Sequence, residues 1–332
     1  MCLVGFTRNI SKKPKKCYSN CMKSILITDS LFIFPEHEQK LKDAGFAIER
    51  LDKPQATEDE LIEALKGKQG YILGGIEQVT DKVIASTDTL EAICFTGSDW
   101  RWFVPGYELA TTKGITITNC PGANSHAVAE YAMSLMLAMT REIFDLGRTG
   151  TKTFKTTKSL QGSVVGIIGM GHIGETMARI LKTFGVKEVL YFSRTRKENL
   201  EKEIGMTYVS MEELLKHSDI VTLHTSKQAG KGYFNKESLK MMKDRALLVD
   251  CSFEGSVDVE ALYQELSEGR LRAAFDGETH DERFKELPLN SWYVSNSSTA
   301  FNTAYANQAA SDMATESIIN LLSGKRDQYK AN

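Results

Sequence analysis

The fold is decided by residues 164–193, which read VVGIIGMGHIGETMARILKTFGVKEVLYFS. The apolar run Val164–Ile168 predicts a short strand that is buried on both faces. Residues 175–184 repeat apolar side chains at helical spacing, and Gly185 stands where such a helix ends. Residues 189–192 predict a second strand. The stretch therefore predicts a strand, a turn, an amphipathic helix and a further strand.

The turn inside this unit, GMGHIG at residues 169–174, has the spacing G-x-G-x-x-G. Gly169 allows the tight turn, Gly171 lets the backbone approach a pyrophosphate, and Gly174 lets helix and strand pack closely. The helix that follows presents free N–H groups and the positive end of its dipole to an anion. Glycine-rich turns are also common in loops, but the strand before this one and the helix after it favour a dinucleotide site.

The end of the second strand indicates which dinucleotide is preferred. Sites for NAD(H) keep a carboxylate there to bind the ribose hydroxyls, whereas sites for NADP(H) bring a cation. Here Ser193, Arg194 and Thr195 are followed by further cations, and the first acid is Glu198. A hydroxyl beside cations suits a 2′-phosphate. The alternative is that these cations belong to a solvated loop. The sequence predicts a preference for NADP(H), with NAD(H) possible.

The length of the chain is sufficient for two domains, each with its own core. It has 332 residues, a net charge of −2 and a pI near 6.4, which gives no indication of a nucleic acid or an anionic membrane as partner. Its six cysteines form no C-x-x-C motif or Cys/His ligand spacing, so neither a metal site nor a disulfide framework is expected. No apolar run approaches the roughly 18 residues of a membrane span. A reduced, cytoplasmic protein is expected.

Residues 1–21 are basic and contain no acid. They lack the apolar core of a secretory signal, although a basic, acid-free start is also typical of an organellar leader. We interpret them as a disordered basic extension or as the product of a start codon assigned too far upstream, because Met22 leads directly into a strand pattern.

The rest of the chain alternates strand and helix patterns, which is typical of parallel sheets covered on both faces. Residues 96–99 follow a buried strand at 92–95, on the side of a sheet where ligands bind. Residues 128–143 predict a helix that is apolar nearly all round and therefore buried, within a domain or at a subunit interface. Residues 145–162 are polar and predict a connecting loop.

These motifs together resemble the D-isomer-specific 2-hydroxyacid dehydrogenase family, particularly its glyoxylate/hydroxypyruvate reductase and phosphoglycerate dehydrogenase members. The matching positions, which cover nearly the whole chain from Met22, are Asn119, residues 121–124, 128–130, 169–174, 219–224, 248–250, 257–258, 261–262 and 273–276. The resemblance implies an α/β fold with two Rossmann-like, doubly wound parallel-sheet domains. A dinucleotide domain (119–304) would be inserted into a flavodoxin-like substrate domain (22–118 plus 305–332). The helix at 128–143 would cross between them and form a homodimer.

The family's chemistry is hydride transfer between a nicotinamide and the C2 atom of a 2-hydroxy or 2-keto acid. An Arg binds the substrate carboxylate, a His exchanges a proton with the C2 oxygen, and a carboxylate orients that His. In this chain the Arg position holds Phe253 and the His position holds Asn296, while the carboxylate position falls on Asp281 or Glu282. Neither a phenyl ring nor an amide can replace the lost groups near neutral pH.

Other roles follow from the same resemblance. Substrate contacts are implied for the loop after the strand at 92–95, namely Gly97, Ser98, Asp99 and Trp100. Cofactor contacts are implied for Gly169, Gly171, His172, Ile173, Gly174, Ser193, Arg194, Thr195, Thr225, Cys251 and Asp276, the last toward the nicotinamide carboxamide. Side chains that could compensate for the lost pair, or could instead be surface or packing residues, are Glu254, His280, Tyr293 and Arg101.

Two hypotheses follow from the altered positions. In the first, the chain is an NADP(H)-dependent oxidoreductase whose substrate is a more apolar or uncharged carbonyl compound than a standard 2-keto acid. Phe253 and the aromatic insertion at residues 100–104 favour it. In the second, the chain binds the dinucleotide as a regulator or scaffold and has lost catalysis.

Overall fold

The computed structural model describes residues 22–28, 31–53, 55–148, 154–277, 281–295 and 299–332. Three predicted features, the extension at 1–21 and the side chains of His280 and Asn296, lie outside these residues. The described chain forms two sheets in which all strand pairs are parallel. The expected α/β class with two Rossmann-like sheets is confirmed.

The first sheet has the strand order β2-β1-β3-β4-β5. Its strands are β1 (Ser24–Thr28), β2 (Ala47–Leu51), β3 (Gly70–Leu73), β4 (Ala92–Phe95) and β5 (Thr116–Thr118). The helices along this part of the chain are α1 (Pro35–Asp43), α2 (Glu58–Ala64), α3 (Asp81–Ala85), α4 (Trp100–Phe103) and α5 (Tyr107–Thr112).

The second sheet has the strand order β12-β11-β10-β9-β6-β7-β8. Its strands are β6 (Val164–Ile168), β7 (Glu188–Phe192), β8 (Thr207–Tyr208), β9 (Ile220–Leu223), β10 (Leu247–Asp250), β11 (Arg272–Asp276) and β12 (Trp292–Ser295). The remaining helices are α6 (Ser125–Thr140), α7 (Ile143–Arg148), α8 (His172–Thr183), α9 (Glu198–Leu200), α10 (Met211–His217), α11 (Lys236–Met241), α12 (Val259–Ser267) and α13 (Ala304–Leu322).

Local sequence explains these elements. Strands β4, β9 and β10 are buried at every residue, as expected of parallel strands between two helical layers. The predicted capping box at Thr57 and Glu60 forms at the start of α2. The C-terminal helix α13 packs back on the first sheet, where a Cβ on Gly70 would lie 2.9 Å from Leu322 Cδ1. The connectivity therefore agrees with a second domain inserted into the first, while the exact domain boundaries stay a prediction.

Two local predictions were wrong. The helix predicted at 128–143 spans Ser125–Thr140, because Glu142 adopts a left-handed φ of 53° that interrupts the helical backbone. The region predicted as a loop from 145 contains the end of α7. The aromatic insertion, for which no element was predicted, forms the single-turn helix α4. Helices α4 and α7 are too short for a hydrophobic period to reveal them.

Helix α6 is buried against α8 and the second sheet within one chain. Its C-terminal carbonyl at Met139 accepts a hydrogen bond from Arg272 (3.1 Å), a buried side chain at the start of β11. Intramolecular packing thus accounts for its apolar character, and the homodimer remains a prediction. Among the described residues, no helix combines the length and apolarity that crossing a membrane requires.

Candidate dinucleotide and substrate site

The glycine turn has the geometry of a phosphate cradle. Gly169 has a φ of +98°, and a Cβ there would lie 2.3 Å from the backbone oxygen of His224. A Cβ on Gly174 would lie 2.1 Å from the oxygen of Gly169, so these two glycines hold β6, β9 and α8 together. Gly171 caps α8, and a Cβ there would meet no atom within 4 Å. The turn is therefore packed on one side and open where a ligand would approach.

The predicted cofactor residues lie along one edge of the second sheet. They follow the carboxyl ends of five neighbouring strands, in the order Ser193–Arg194–Thr195 (β7), the glycine turn (β6), Thr225 (β9), Cys251 (β10) and Asp276 (β11). Neighbouring strands are ~4.8 Å apart, so four steps span ~19 Å. The predicted residues could therefore contact an extended ligand along this edge, but they could not all contact one small group.

Two buried polar atoms beside the turn have no partner in the described part of the chain. These are Thr225 Oγ1 and His224 Nδ1, whereas His224 Nε2 contacts Thr222 Oγ1 at 3.0 Å. A buried polar atom without a partner is costly, so such atoms indicate a ligand. The open face at Gly171 and the unpaired Thr225 hydroxyl together fit a pyridine dinucleotide. His172 is exposed beside Gly122, and Ile173 packs against the core of the second sheet.

His224 predicts a pH dependence of stability. Burial lowers its pKa from 6.5 to about 4, so the folded chain holds it neutral. The unfolded chain binds the proton more readily, and stability is therefore complete above pH 6.5 and falls as the pH drops toward 4. Protonation of His224 in the unfolded chain should therefore lower the free energy of unfolding by about 2 kcal/mol between pH 7.5 and pH 5. The slope of this decrease approaches about 1.4 kcal/mol per pH unit below pH 6.5.

Urea unfolding at the two pH values measures this effect. His224→Gln should remove that share of the pH dependence, whereas His126→Gln, at an exposed site on α6, should keep it. Equal pH dependence in both variants would contradict the assignment.

At the β7 end, the two arginines differ in their availability. Arg196 forms a two-point contact with Glu201, from Nε to Oε1 (2.9 Å) and from NH2 to Oε2 (2.8 Å). Arg194 is exposed and has no hydrogen bond or ion pair within the described chain. Ser193 Oγ donates to the Thr195 oxygen (2.6 Å), which shapes the turn that carries Arg194.

At the β11 end, Asp276 is already bonded to the chain. Its Oδ1 accepts hydrogen bonds from Ser295 Oγ (2.8 Å) and Thr299 N (3.1 Å), and its Oδ2 accepts from Ala300 N (2.9 Å). Asp276, which we predicted to bind the nicotinamide carboxamide, therefore also holds residues 299 and 300, which follow β12. Cys251 is buried, and burial raises the pKa of its thiol, which keeps it unreactive.

A cavity of about 590 Å³ brings several predicted residues together. Phe253, Asp276, Asp281 and Glu282 all line it. Phe253 supplies an apolar wall at the position where the resemblance implies an arginine. The buried carboxyl of Asp250 lines the same cavity; burial raises its pKa, and Ser252 Oγ donates to its Oδ1 (2.5 Å).

The two candidate carboxylates are paired with cations of their own turn, which the sequence did not indicate. Asp281 accepts from Arg283 Nε (3.0 Å), and this guanidinium lowers the pKa of Asp281. Arg283 also binds Glu260. Glu282 is exposed and bonds to Lys285 (2.6 Å). These contacts describe a surface ion-pair network around the cavity rather than a carboxylate held ready for an imidazole.

The predicted compensating residues also have structural roles. Tyr293 stacks on Phe144 with a centroid distance of 4.2 Å, and Arg101 lies 4.7 Å above the ring of Trp100. Glu254 lines the cavity and stays a candidate.

The loop after β4 faces the second domain. Asp99 Oδ2 accepts a hydrogen bond from the backbone N–H of Lys227 (2.9 Å), and Ser98 Oγ donates to the oxygen of Cys120 (3.2 Å). A Cβ on Gly97 would lie 2.6 Å from the ring of Phe95. Trp100 differs from the expectation of substrate contact, because it is 5% exposed and packs in the core of the first sheet. Its buried ring therefore anchors the end of this loop in the core of the first sheet.

Sequence reasoning missed one residue at this point. Lys227 Nζ lies 4.0 Å from the ring centroid of Trp102, in the aromatic insertion of the first domain. The available signals were a cation shortly after the end of β9 and exposed aromatic residues after β4. Nothing in the spacing could pair them, because 125 residues separate the two.

Comparisons with known proteins agree with this geometry. Residues 133–297 match the sequence model described as "D-isomer specific 2-hydroxyacid dehydrogenase, NAD binding domain". A glyoxylate reductase of Thermococcus litoralis is 32% identical over 262 residues, which cover 72% of this chain and 76% of that protein. The chain belongs to the D-isomer specific 2-hydroxyacid dehydrogenase family. The family's NAD-binding domain thus coincides with the second sheet and its glycine turn.

Two further matches extend over most of the chain. A D-3-phosphoglycerate dehydrogenase of Methanocaldococcus jannaschii is 32% identical over 321 residues, 94% of this chain, which spans 60% of that protein's length. The crystal structure of the TT0316 protein from Thermus thermophilus superposes with a TM-score of 0.82 at 25% identity, covering 93% of this chain and 100% of that one. Both domains therefore share the family architecture.

Proposed function

We propose that the chain is an oxidoreductase that prefers NADP(H) and acts on a carbonyl or hydroxy compound other than an ordinary 2-keto acid. The proposal rests on the arrangement of two features at the carboxyl-end edge of the second sheet. A glycine turn open at Gly171 lies on the same edge as a cavity whose wall is Phe253 instead of arginine. Family membership supports the cofactor class, and the altered cavity supports a different substrate.

The chain's own residues would divide the work along that edge. The bound nicotinamide would supply or accept the hydride. The N-terminus of α8 would bind the pyrophosphate, and Arg194 would bind a 2′-phosphate. At the other end, Phe253 would exclude water from the cavity, and the Asp250 carboxyl, whose pKa burial raises, could hold a proton there.

A substrate panel tests the reaction. NADPH oxidation would be followed with 2-keto acids, aldehydes, ketones and imines, after cofactor binding has been measured separately. We expect turnover with at least one class and higher activity on it than on glyoxylate. If no compound of the panel caused NADPH oxidation although the cofactor was bound, an enzymatic role would be contradicted.

That negative result would favour the second candidate, a regulator or scaffold that binds the dinucleotide without catalysis. Two observations support this candidate: Phe253 and Asn296 replace the family's Arg and His, and Arg283 engages Asp281. It predicts cofactor-dependent assembly and no turnover.

Arg194 tests the cofactor preference. Arg194→Gln should weaken NADPH binding by roughly 10- to 100-fold and leave NADH binding unchanged, because it removes a charge-assisted contact worth about 1.5–3 kcal/mol. Arg196→Gln is the matched control, because Glu201 already holds that side chain. Titration of both nucleotides by fluorescence or calorimetry measures the ratio. Equal losses for NADPH and NADH would contradict a 2′-phosphate contact.

We also propose a homodimer through the region of residues 128–143. Ile143 at the end of this region is large, apolar and 55% exposed, so it is a position at which a charge can test the interface without disturbing the core. Analytical ultracentrifugation should give twice the 37.0 kDa chain mass. Ile143→Lys should shift the population to monomer, and an unchanged dimer would place the interface elsewhere.

A further inference from the structure

The cavity beside the proposed cofactor edge is lined by more negative than positive side chains. Among the described residues its lining includes five carboxylates and two cations, namely Asp250, Glu254, Asp276, Asp281 and Glu282 against Lys231 and Arg283. Arg283 is already bound by Asp281 and Glu260, and the side chain of Lys231 is exposed to solvent. The charge of this cavity therefore favours a cation over an anion.

Two of these carboxylates are held by neutral groups alone. Asp250 and Asp276 end the neighbouring strands β10 and β11, whose register pairs Asp250 with Phe275. Asp250 Oδ1 accepts from the N–H (2.8 Å) and the Oγ (2.5 Å) of Ser252, and its Oδ2 accepts from Ser256 Oγ. The partners of Asp276 are likewise a serine hydroxyl and two backbone N–H groups. Within the described residues, no cationic nitrogen lies within the 4.0 Å that defines an ion pair with either carboxylate.

Burial makes Asp250 the more sensitive of the two to an incoming charge. Its side chain lines the cavity although the residue is only 4% exposed. Burial raises the pKa of Asp250 and the charge of Asp276 raises it further, whereas the serine hydrogen bonds lower it. A carboxylate that is destabilised by desolvation and by a like charge is stabilised when a cation arrives beside it. A ligand that brings one positive charge into this cavity relieves both effects.

The two altered family positions agree with a cationic ligand. An arginine at position 253 would repel a cation, whereas Phe253 supplies an apolar wall. The position of the family's histidine holds Asn296, whose amide does not supply a proton near neutral pH. Reduction of a carbonyl group needs that proton on the oxygen. Reduction of an iminium ion needs only a hydride, because the nitrogen already carries the positive charge that the added electron pair neutralises.

We propose that this cavity binds an iminium substrate, a cationic C=N group, with its nitrogen paired to Asp250 and its apolar substituent against Phe253. The inference rests on the proposed function, because it concerns the substrate of the same cavity and specifies the imine class within the panel. The iminium carbon accepts a hydride from the bound nicotinamide, and the C=N π electrons become a nitrogen lone pair. The products are a neutral amine and the oxidised nicotinamide. A neutral imine first takes a proton from the Asp250 carboxyl, whose O–H bond breaks as the N–H bond forms.

Benzamidinium, an unreactive planar cation with a C=N bond, and uncharged benzamide of nearly the same shape are suitable probes, with benzoate as the matching anion. Each would be titrated calorimetrically into the full chain saturated with NADPH. Benzamidinium should bind at least about tenfold more tightly than benzamide, because it gains a charge-assisted contact. Benzoate should bind most weakly, because the carboxylates of the cavity repel it.

Asp250→Asn, which keeps the shape of the side chain and removes its charge, should weaken benzamidinium binding roughly tenfold or more and leave benzamide binding unchanged. Phe253→Arg should reverse the order, so that benzoate binds more tightly than benzamidinium. Glu286→Gln is the matched control, because it removes a negative charge from the exposed end of the 3₁₀ turn Glu282–Glu286 and does not line the cavity. It should bind all three probes as the parent chain does.

The inference is overturned if the parent chain does not bind benzamidinium or binds it no more tightly than benzamide. It is also overturned if Asp250→Asn binds benzamidinium as the parent does. The three probes on the parent chain decide the question even if Asp250→Asn does not fold. A failure of the proposed function is distinguishable, because it appears in the separate NADPH titration as an absence of cofactor binding.

Discussion

Gly171→Ala is expected to weaken NADPH binding on the order of 100-fold while the fold remains intact. The new methyl group meets no atom within 4 Å in the free chain, so only a ligand would encounter it. It would stand where the backbone approaches the pyrophosphate and would disrupt charge-assisted hydrogen bonds worth about 1.5–3 kcal/mol each. Calorimetry gives the affinity, and thermal unfolding gives the stability, which should fall by no more than about 1 kcal/mol.

Alanine variants of two other glycines serve as controls for this result. Gly147→Ala, on the exposed face of α7 with no atom within 4 Å of its new Cβ, should leave NADPH binding unchanged and should not lower stability, because alanine favours a helix by about 0.5–1 kcal/mol over glycine. Gly174→Ala should lower both, because its Cβ would lie 2.1 Å from the Gly169 oxygen and α8 would have to move. If Gly171→Ala bound NADPH like the parent chain, the ligand would not lie on this turn.

Restoring the family pair should raise activity toward 2-keto acids. Phe253→Arg would return a carboxylate receptor to a cavity that already includes Asp276, and Asn296→His would return a proton donor at the position that the family resemblance implies. General acid–base catalysis is worth about 10²–10⁴ in rate, so we expect at least a 100-fold rise in kcat/KM for glyoxylate or hydroxypyruvate. Each single variant should give much less, because the two groups act on the same substrate.

The ion pair of Asp281 limits this gain and provides the control. A third change, Arg283→Gln, would release Asp281 to orient the new histidine, and it should increase the activity of the double variant but not that of the parent chain. Cofactor affinity should stay constant across the series. If the double variant bound NADPH and still showed no rise with any 2-keto acid, the rest of the family site would not be in place.

Much of the second domain could be predicted because local signals and global fold agree there. Local sequence patterns and the overall fold agree for the strand Val164–Ile168, the three glycines and the apolar face of α8. The family resemblance likewise placed Phe253 at the cavity wall, since residue spacing is preserved up to Val257.

Contacts between distant segments could not be predicted in this way. The sequence showed Trp102 and Lys227 as an insertion and a loop cation, and their contact depends on how two separate sheets face each other. Similarly, Asp281 fitted the position of an orienting carboxylate, but its neighbour Arg283 satisfies it locally. The burial of Trp100 depended on α4, a helix of four residues that leaves no periodic signal.

Calorimetric titration of the unmodified chain with NADPH and with NADH tests the central claim most directly. The glycine turn, the unpaired Thr225 hydroxyl and the exposed Arg194 predict saturable binding of NADPH with micromolar or tighter affinity, and weaker binding of NADH. Absence of binding heat with both nucleotides at several temperatures would contradict the claim, and neither an oxidoreductase nor a dinucleotide-dependent regulator would then remain.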